Sequence, residues 1–213
     1  ISSEEIELIK NYVPKVMTGN NLEGSGYFQG FTCELKKSNN FDELVCFCSH
    51  SHPLEIASFI VSINSDLQMI DNSFTYLSLT SQANYIRTIT SQDKTKSLVV
   101  FCDNDSKGYY TMFDLKTMTF TEKISYMTIR GGDASTLLIK YFPRTQEYIL
   151  ISKNEMEFKA LKFDKNMNRI QNDNMNNETT ADFNLSDNIH NINFFNVVYF
   201  LEYENYVLLL MEA

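Results

Sequence analysis

Four short, unbroken apolar runs punctuate the chain: Leu44-Val45-Cys46-Phe47-Cys48, Leu98-Val99-Val100-Phe101-Cys102, Tyr148-Ile149-Leu150-Ile151-Ser152 and Tyr206-Val207-Leu208-Leu209-Leu210, at offsets of 54, 50 and 58 positions. Runs this short, rich in β-branched and aromatic residues, predict strands buried on both faces. Each of the first three is followed by an alternating segment, Ala57 to Ile63, Tyr109 to Leu115 and Glu157 to Asp164, in which Phe113-Asp114 returns as Phe163-Asp164 at the 50-residue offset of the runs themselves. A more polar segment, Met118 to Tyr126, has the period-2 pattern of a half-exposed outer strand. Ahead of each run stands a further strand candidate: Tyr27 to Leu35, Tyr85 to Thr90, Ser135 to Phe142 and Ile192 to Phe200.

Four strands per repeat, joined by polar turns such as Ser38-Asn39-Asn40 and Asn104 to Gly108, predict an all-β chain of four-stranded antiparallel units. One twisted four-stranded sheet cannot cover both of its faces; similar sheets stacked face to face cover one another, which is the logic of a β-propeller blade. The blades are expected at about 26–80, 81–130 and 131–180, with a partial fourth at 181–213. Residues 1–25 form an N-terminal segment in which Ser2 to Ile9 reads as a short helix, capped by Ser3 and closed before Pro14. Three and a half blades fall short of the four to eight of closed propellers. The expectation is therefore an incomplete ring, completed by the rest of a larger protein or by another chain, or else an open sheet assembly, with the strand at Val207 to Met211 needing a neighbour along its edge.

The rhythm resembles the β-propeller superfamily in general. Trp is absent, so the Trp-Asp ending of WD repeats is missing, and the single Gly131-Gly132 doublet does not sustain a kelch pattern. Cys33 and Cys46, on adjacent predicted strands with the Lys36 to Asn40 turn between them, are placed for a cross-strand disulfide. That pair resembles the within-blade bridges of secreted apicomplexan cysteine-rich propellers, and Cys46-Phe47-Cys48 is similar to the C-x-C strand of apicomplexan six-cysteine β-sandwich domains. The resemblance implies a disulfide-bonded extracellular module; no functional residue is carried over from it.

Composition narrows the classes. The chain has 213 residues, 43% apolar, with seven Gly and three Pro, and no apolar run long enough for a membrane helix. Eighteen basic against 27 acidic residues give a formal charge of −9, which repels phosphate backbones and argues against a nucleic-acid partner. Lys94 to Lys96 reads as a solvated hairpin turn. An even number of cysteines, at 33, 46, 48 and 102, suits two disulfides and an oxidising compartment, the alternative being four buried thiols in a cytosolic protein. Cys48 and Cys102 hold equivalent places on neighbouring repeats, although a bridge between them needs a closer approach than the roughly 10 Å between stacked sheets. Sequons stand at Asn104, Asn177 and Asn184, about the number chance supplies with 22 Asn and 35 Ser plus Thr.

No motif carries chemistry. Cys46, Cys48, His50 and His52 alternate along one predicted strand, which spreads the outer pair about 20 Å apart, too far for one tetrahedral zinc. Asp103 to Gly108 with Asp114 approaches a calcium loop, but Lys107 puts a cation at a ligand position, so a hairpin turn is expected. Gly24 to Gly30 leads into a strand rather than a helix and lacks the spacing of a dinucleotide cradle. No nucleophile elbow, zinc-protease helix or triad is legible. The expectation is a non-enzymatic protein-binding scaffold, secreted or at a cell surface, needing no cofactor or metal. Its contact loops are taken as Asn64 to Asp71, Asp103 to Gly108 and Asp164 to Asn177. The alternatives are a carbohydrate-binding or carbohydrate-active propeller and a cytoplasmic assembly subunit.

Overall fold

The computed structural model describes residues 28–37, 42–51, 54–62, 74–104, 107–128, 137–154, 157–170, 181–184, 192–200 and 205–212. The opening segment with its expected helix lies outside them. The described chain is all-β and antiparallel throughout. A first sheet runs in chain order β1 (Phe28–Lys37), β2 (Asp42–Ser51), β3 (Leu54–Ser62), β4 (Thr75–Ser78). A second follows as β5 (Ala83–Thr90), β6 (Lys96–Asp103), β7 (Lys107–Asp114), with β8 (Thr119–Phe120) and β9 (Ile124–Thr128) sharing the outer edge of β7. The third is β10 (Leu137–Phe142), β11 (Glu147–Asn154), β12 (Glu157–Phe163), β13 (Ala181–Asn184), and a two-stranded fourth is β14 (Ile192–Phe200) with β15 (Asn205–Glu212). The apolar runs are thus the second strands of their sheets.

Strand alternation divides the β6 run between two interfaces. In β6, Val99 and Phe101 face the first sheet, where they pack with Val45, Phe47, Ile56, Ile86, Phe113 and Leu115; Leu98, Val100 and Cys102 face the third, against Leu137, Tyr148, Leu150, Leu161 and Phe163. β6 reads as an uninterrupted apolar run because both of its faces are interior: Leu98 through Phe101 are fully buried. Aromatic rings fill the gaps between sheets. Phe47 meets Phe113 edge-on at 5.1 Å between centroids, and Tyr110 meets Phe163 edge-on at 5.3 Å.

The sheets are arranged like blades. The first strand of each lies beside the first strand of the next, β1 by β5, β5 by β10 and β10 by β14. Side-chain hydrogen bonds tie β1 to β5: the Thr32 and Thr88 hydroxyls share one of 3.1 Å, and Thr88 donates to Glu34 Oε1 at 3.2 Å. Four-stranded meanders stacked face to face, with first strands gathered along one line, form a propeller-like array, and among the described residues the array is open.

Two details depart from expectation and a third goes beyond it. The outer strand of the second sheet is not one strand from Met118 to Tyr126 but two, broken at residues 121–123, and Met118 sits in the preceding turn at φ 56°. Thr121 patches the break: Met112 N–H donates to its hydroxyl at 3.0 Å, while Thr111 Oγ1 donates to its carbonyl at 2.8 Å. The third sheet draws its outer strand from Ala181–Asn184, beyond the boundary at 180. Finally, β1 and β5 each carry one extra residue near their start, where Gln29-Gly30 oppose Ser49 and Tyr85-Ile86 oppose Phe101. Tyr85 takes the left-handed region there, φ 53°, and its side chain is 40% exposed.

Candidate interaction surface

The meander order sends successive turns to alternate ends of the stack. At the end where first strands finish lie the β5–β6 turn (91–95), the β7–β8 turn (115–118), the β10–β11 turn (143–146) and the turn after β12 (164–168). Three of the four are locked by an aspartate. Asp93 Oδ1 accepts the Ser91 hydroxyl at 2.6 Å and both the N–H and the hydroxyl of Thr95, at 3.2 and 2.9 Å. Asp114 Oδ1 accepts the N–H groups of Lys116 and Thr117 at 2.9 and 2.7 Å. Asp164 Oδ1 accepts those of Asn166 and Asn168, both at 2.8 Å, and its Oδ2 takes the Asn168 side-chain amide at 3.0 Å. These short side chains supply, locally, the acceptors that turn N–H groups lack in the ladder.

Each of these turns ends in the left-handed region without glycine: Lys94 at φ 58°, Met118 at 56°, Gln146 at 54° and Met167 at 64°. For the two methionines, packing offsets the backbone cost. Met167 is buried among the residues between the second and third sheets, and Met118 packs on the cluster between the first and second. The repeated Phe-Asp pair therefore has a structural meaning: Phe113 and Phe163 are fully buried, and the aspartate next in sequence fixes the turn that follows. Two of the turns are also tied to strands of the neighbouring sheet. Thr75 Oγ1 donates to the Met118 carbonyl at 2.7 Å, and Gln92 N–H donates to Tyr148 Oη at 2.9 Å. The result is a surface of fixed turns that exposes Gln92, Asp93, Thr95, Lys116, Thr117, Arg144, Lys165 and Asn166.

Hydrogen bonds hold the Asp93 carboxyl below its ordinary range, chiefly the one from the Ser91 hydroxyl, and they do the same for Asp114, chiefly the one from Thr117 N–H. Beneath this end, in the seam between β1 and β5, the Glu34 carboxyl is pushed above its ordinary value by burial; hydrogen bonds from Thr88 and Thr90 and the nearby Lys94 ammonium only partly offset that. Thr90 is itself buried and shares a 2.9 Å hydrogen bond with Ser97.

At the opposite end, Asn104 N–H donates to the Gln82 carbonyl at 3.0 Å, its side-chain amide donates to Gln82 Oε1 at 3.3 Å, and its Oδ1 accepts the Asn84 amide. Asp103 Oδ1 accepts Lys107 N–H at 2.9 Å, so its carboxylate caps a hairpin turn, as Lys107 led us to expect. Of the expected contact loops, Asp103 to Gly108 lies at this end, whereas the described part of Asp164 to Asn177 lies at the other. They do not share a surface. Asn64 to Asp71 lies outside the described residues.

Cys33 and Cys46 stand directly opposite in the β1–β2 register, Cα atoms 4.2 Å apart and sulfurs at disulfide distance. Cys48 and Cys102 are unbonded and buried. Their faces keep them apart: Cys102 points from the second sheet toward the third, while Cys48, two residues from Cys46, shares the face of the first sheet turned away from the second. An inter-repeat bridge is thereby corrected to two separate thiols. Among the described residues no group of three or more His, Cys, Asp or Glu could hold a metal, and no described helix is long and apolar enough to cross a membrane. Of the sequons, Asn104 is exposed in its turn, Asn184 ends β13, and Asn177 lies outside the described residues. The locking role of Asp93, Asp114 and Asp164 is legible in sequence only as the Phe-Asp repeat and the Ser-x-Asp-x-Thr triplet.

No protein-family model matches the chain, and no curated protein matches it. Among solved structures it is similar to one described as the Dos1 propeller, with a TM-score of 0.46 and 15% identity over 84% of this chain and 43% of that one. The chain thus spans less than half the length of that structure.

Proposed function

We propose that the protein is a non-enzymatic scaffold that binds another protein through the turns at the end of the stack where Asp93, Asp114 and Asp164 lie. The observation that carries this reading is their fixation by hydrogen bonds within turns and across sheets. Turns already held in one conformation lose little entropy on docking, so even modest contacts give usable affinity. We further place the protein outside the cell or at its surface, on the strength of the Cys33–Cys46 pair, since such bonds persist in oxidising compartments. The test is capture of partners from native extracts with the intact chain, followed by interferometry against Lys116→Glu, Arg144→Glu and Lys165→Glu variants. A partner whose dissociation constant rises at least tenfold supports the reading. A partner indifferent to all three substitutions sinks it.

A glycan-binding reading draws on the opposite end, where the Gln82, Asn84 and Asn104 amides bond to one another and Tyr85, next in sequence to Asn84, is exposed. Amides that bond sugar hydroxyls and a ring that stacks on a pyranose are the chemistry such a site uses. Loss of glycan-array binding in Tyr85→Ala would favour it; a silent array for the intact chain would discard it.

A further inference from the structure

Cys48 and Glu55 meet on the face of the first sheet turned away from the second. Phe47 and Ile56 pack into the core between those two sheets, so their sequence neighbours Cys48 and Glu55 take the opposite face. The β2–β3 register sets Cys48 against Ala57 and His50 directly against Glu55. His50 enters by this backbone register, its side chain lying outside the described residues. Two positions past Cys48, it shares that face: the opposed His50 and Glu55 Cβ positions are about 5 Å apart and the Cys48–Glu55 diagonal is roughly 7 Å. Glu55 is 8% exposed, and among the described residues no donor or cation bonds its carboxyl. A buried carboxyl without a partner is costly and asks for a counter-charge. Burial raises the Cys48 thiol and the Tyr76 phenol, and the Glu55 carboxylate adds to both shifts, which puts the three groups within electrostatic reach of one another. The neighbouring repeats lack this set: Asn104 and Asn154 stand at the place of His50, at the offsets of 54 and 50 that relate the apolar runs. The blade itself therefore does not require it.

We infer that Cys48, His50 and Glu55 form a zinc site, supplying a thiolate, an imidazole and a carboxylate and leaving a fourth position open. This goes beyond the protein-binding reading and stands independently of it. Mixed sulfur, nitrogen and oxygen donors suit the borderline softness of zinc, and three protein ligands with one open place is an arrangement the tetrahedral ion accepts. The sulfur coordinates as thiolate, so binding releases the Cys48 proton to solvent. The Ala57 N–H that already bonds the Cys48 sulfur favours that charged form. The cation supplies the counter-charge that Glu55 lacks. Cys46, the other cysteine on this face of β2, is taken by Cys33 and is not a ligand. Glu55 is the member that a reading along one strand misses, because it comes from the next strand and is placed by register alone.

Cobalt(II) titration of the intact, non-reduced chain tests this, cobalt being the spectroscopic stand-in for zinc. One equivalent should develop a sulfur-to-cobalt charge-transfer band together with the visible bands of four-coordinate cobalt, and equimolar zinc should bleach both. Cys48→Ala should abolish the charge-transfer band, and Cys102→Ala should keep it. Glu55→Gln and His50→Ala should each weaken cobalt binding by about tenfold or more, since even partners outside the ligand set cost that much. Glu55→Gln removes a buried charge at nearly constant shape, so it serves where Cys48→Ala fails to fold: zinc should raise the melting temperature of the intact chain by more than that of Glu55→Gln. The inference is overturned if no charge-transfer band appears, if the band survives in Cys48→Ala or vanishes in Cys102→Ala, or if Glu55→Gln and His50→Ala bind cobalt as tightly as the intact chain. Equal zinc shifts in melting temperature for the intact chain and Glu55→Gln overturn it as well.

Discussion

Burial keeps the Cys48 and Cys102 thiols protonated, raising each pKa to about 12, with the carboxylates of Glu55 and Asp103 adding to the shift. A thiol with so small a thiolate fraction at neutral pH, and about 1% exposed, is a poor nucleophile. Iodoacetamide followed by mass spectrometry should leave both unmodified in the native protein and modify both in guanidinium; native labelling within minutes would contradict their placement. Asp114 titrates in the opposite sense. Its pKa is depressed in the folded state, so its contribution to stability is complete above the unfolded value near 4 and fades as pH falls through the folded value. Asp114→Ala should cost about 1 kcal/mol and accelerate exchange at the Thr117 amide, while Asp114→Asn, which keeps an acceptor, should cost less. Equal losses for the two would assign the effect to something other than the turn bonds. The sequence puts Cys33 and Cys46 on adjacent strands and makes a cross-strand bond reasonable; that the two stand directly opposite is settled by the β1–β2 register. The fates of Cys48 and Cys102 do not follow from sequence either, since which face of a doubly buried strand meets which neighbour is a property of the stack.

Between elements, the polar ties across sheets are the informative ones. The Tyr126 and Ser152 hydroxyls share a 2.5 Å hydrogen bond inside the core between the second and third sheets. Tyr126→Phe strands the Ser152 hydroxyl and should cost about 1–3 kcal/mol in chemical denaturation, whereas the double variant with Ser152→Ala should recover part of the loss. Additive losses would mean that the bond contributes nothing. Glu34 plays a different part in the seam of β1 and β5. Burial raises its folded pKa, so the folded state holds its proton more tightly than the unfolded one; this group makes the protein less stable as pH rises through that value. Glu34→Gln keeps an acceptor for Thr88 and should raise the melting temperature at pH 7 but not at pH 4. A lower melting temperature at pH 7 would show that the charge is needed. In sequence Glu34 looks like an ordinary strand polar residue, because its partners Thr88 and Thr90 are more than fifty positions away.

At the scale of the molecule, stability comes from sheets that complete one another's cores, with one covalent tie in the first. Reducing that tie should lower stability by about 3 kcal/mol, the loop-closure value for a separation of 13 residues. Melting curves with and without reductant measure it, and coincident curves would show the pair to be thermodynamically idle. Phe113 reaches across to Phe47 from the second sheet, so Phe113→Ala should cost about 3–5 kcal/mol and weaken the first sheet along with its own. Exchange confined to the second sheet would mean that the sheets open independently.

The apolar second strands, the strands before and after them and the repeat itself were determined by the sequence, because period-2 alternation and doubly buried runs are local consequences of which residues touch water; the outer strands were not. The stacking of each sheet on the next, the division of Leu98 to Cys102 between two cores, the gathering of turns at two ends and the break at residues 121–123 were decided by tertiary structure. Those features depend on contacts between residues some fifty positions apart, and no local pattern encodes which of two apolar faces meets which neighbour.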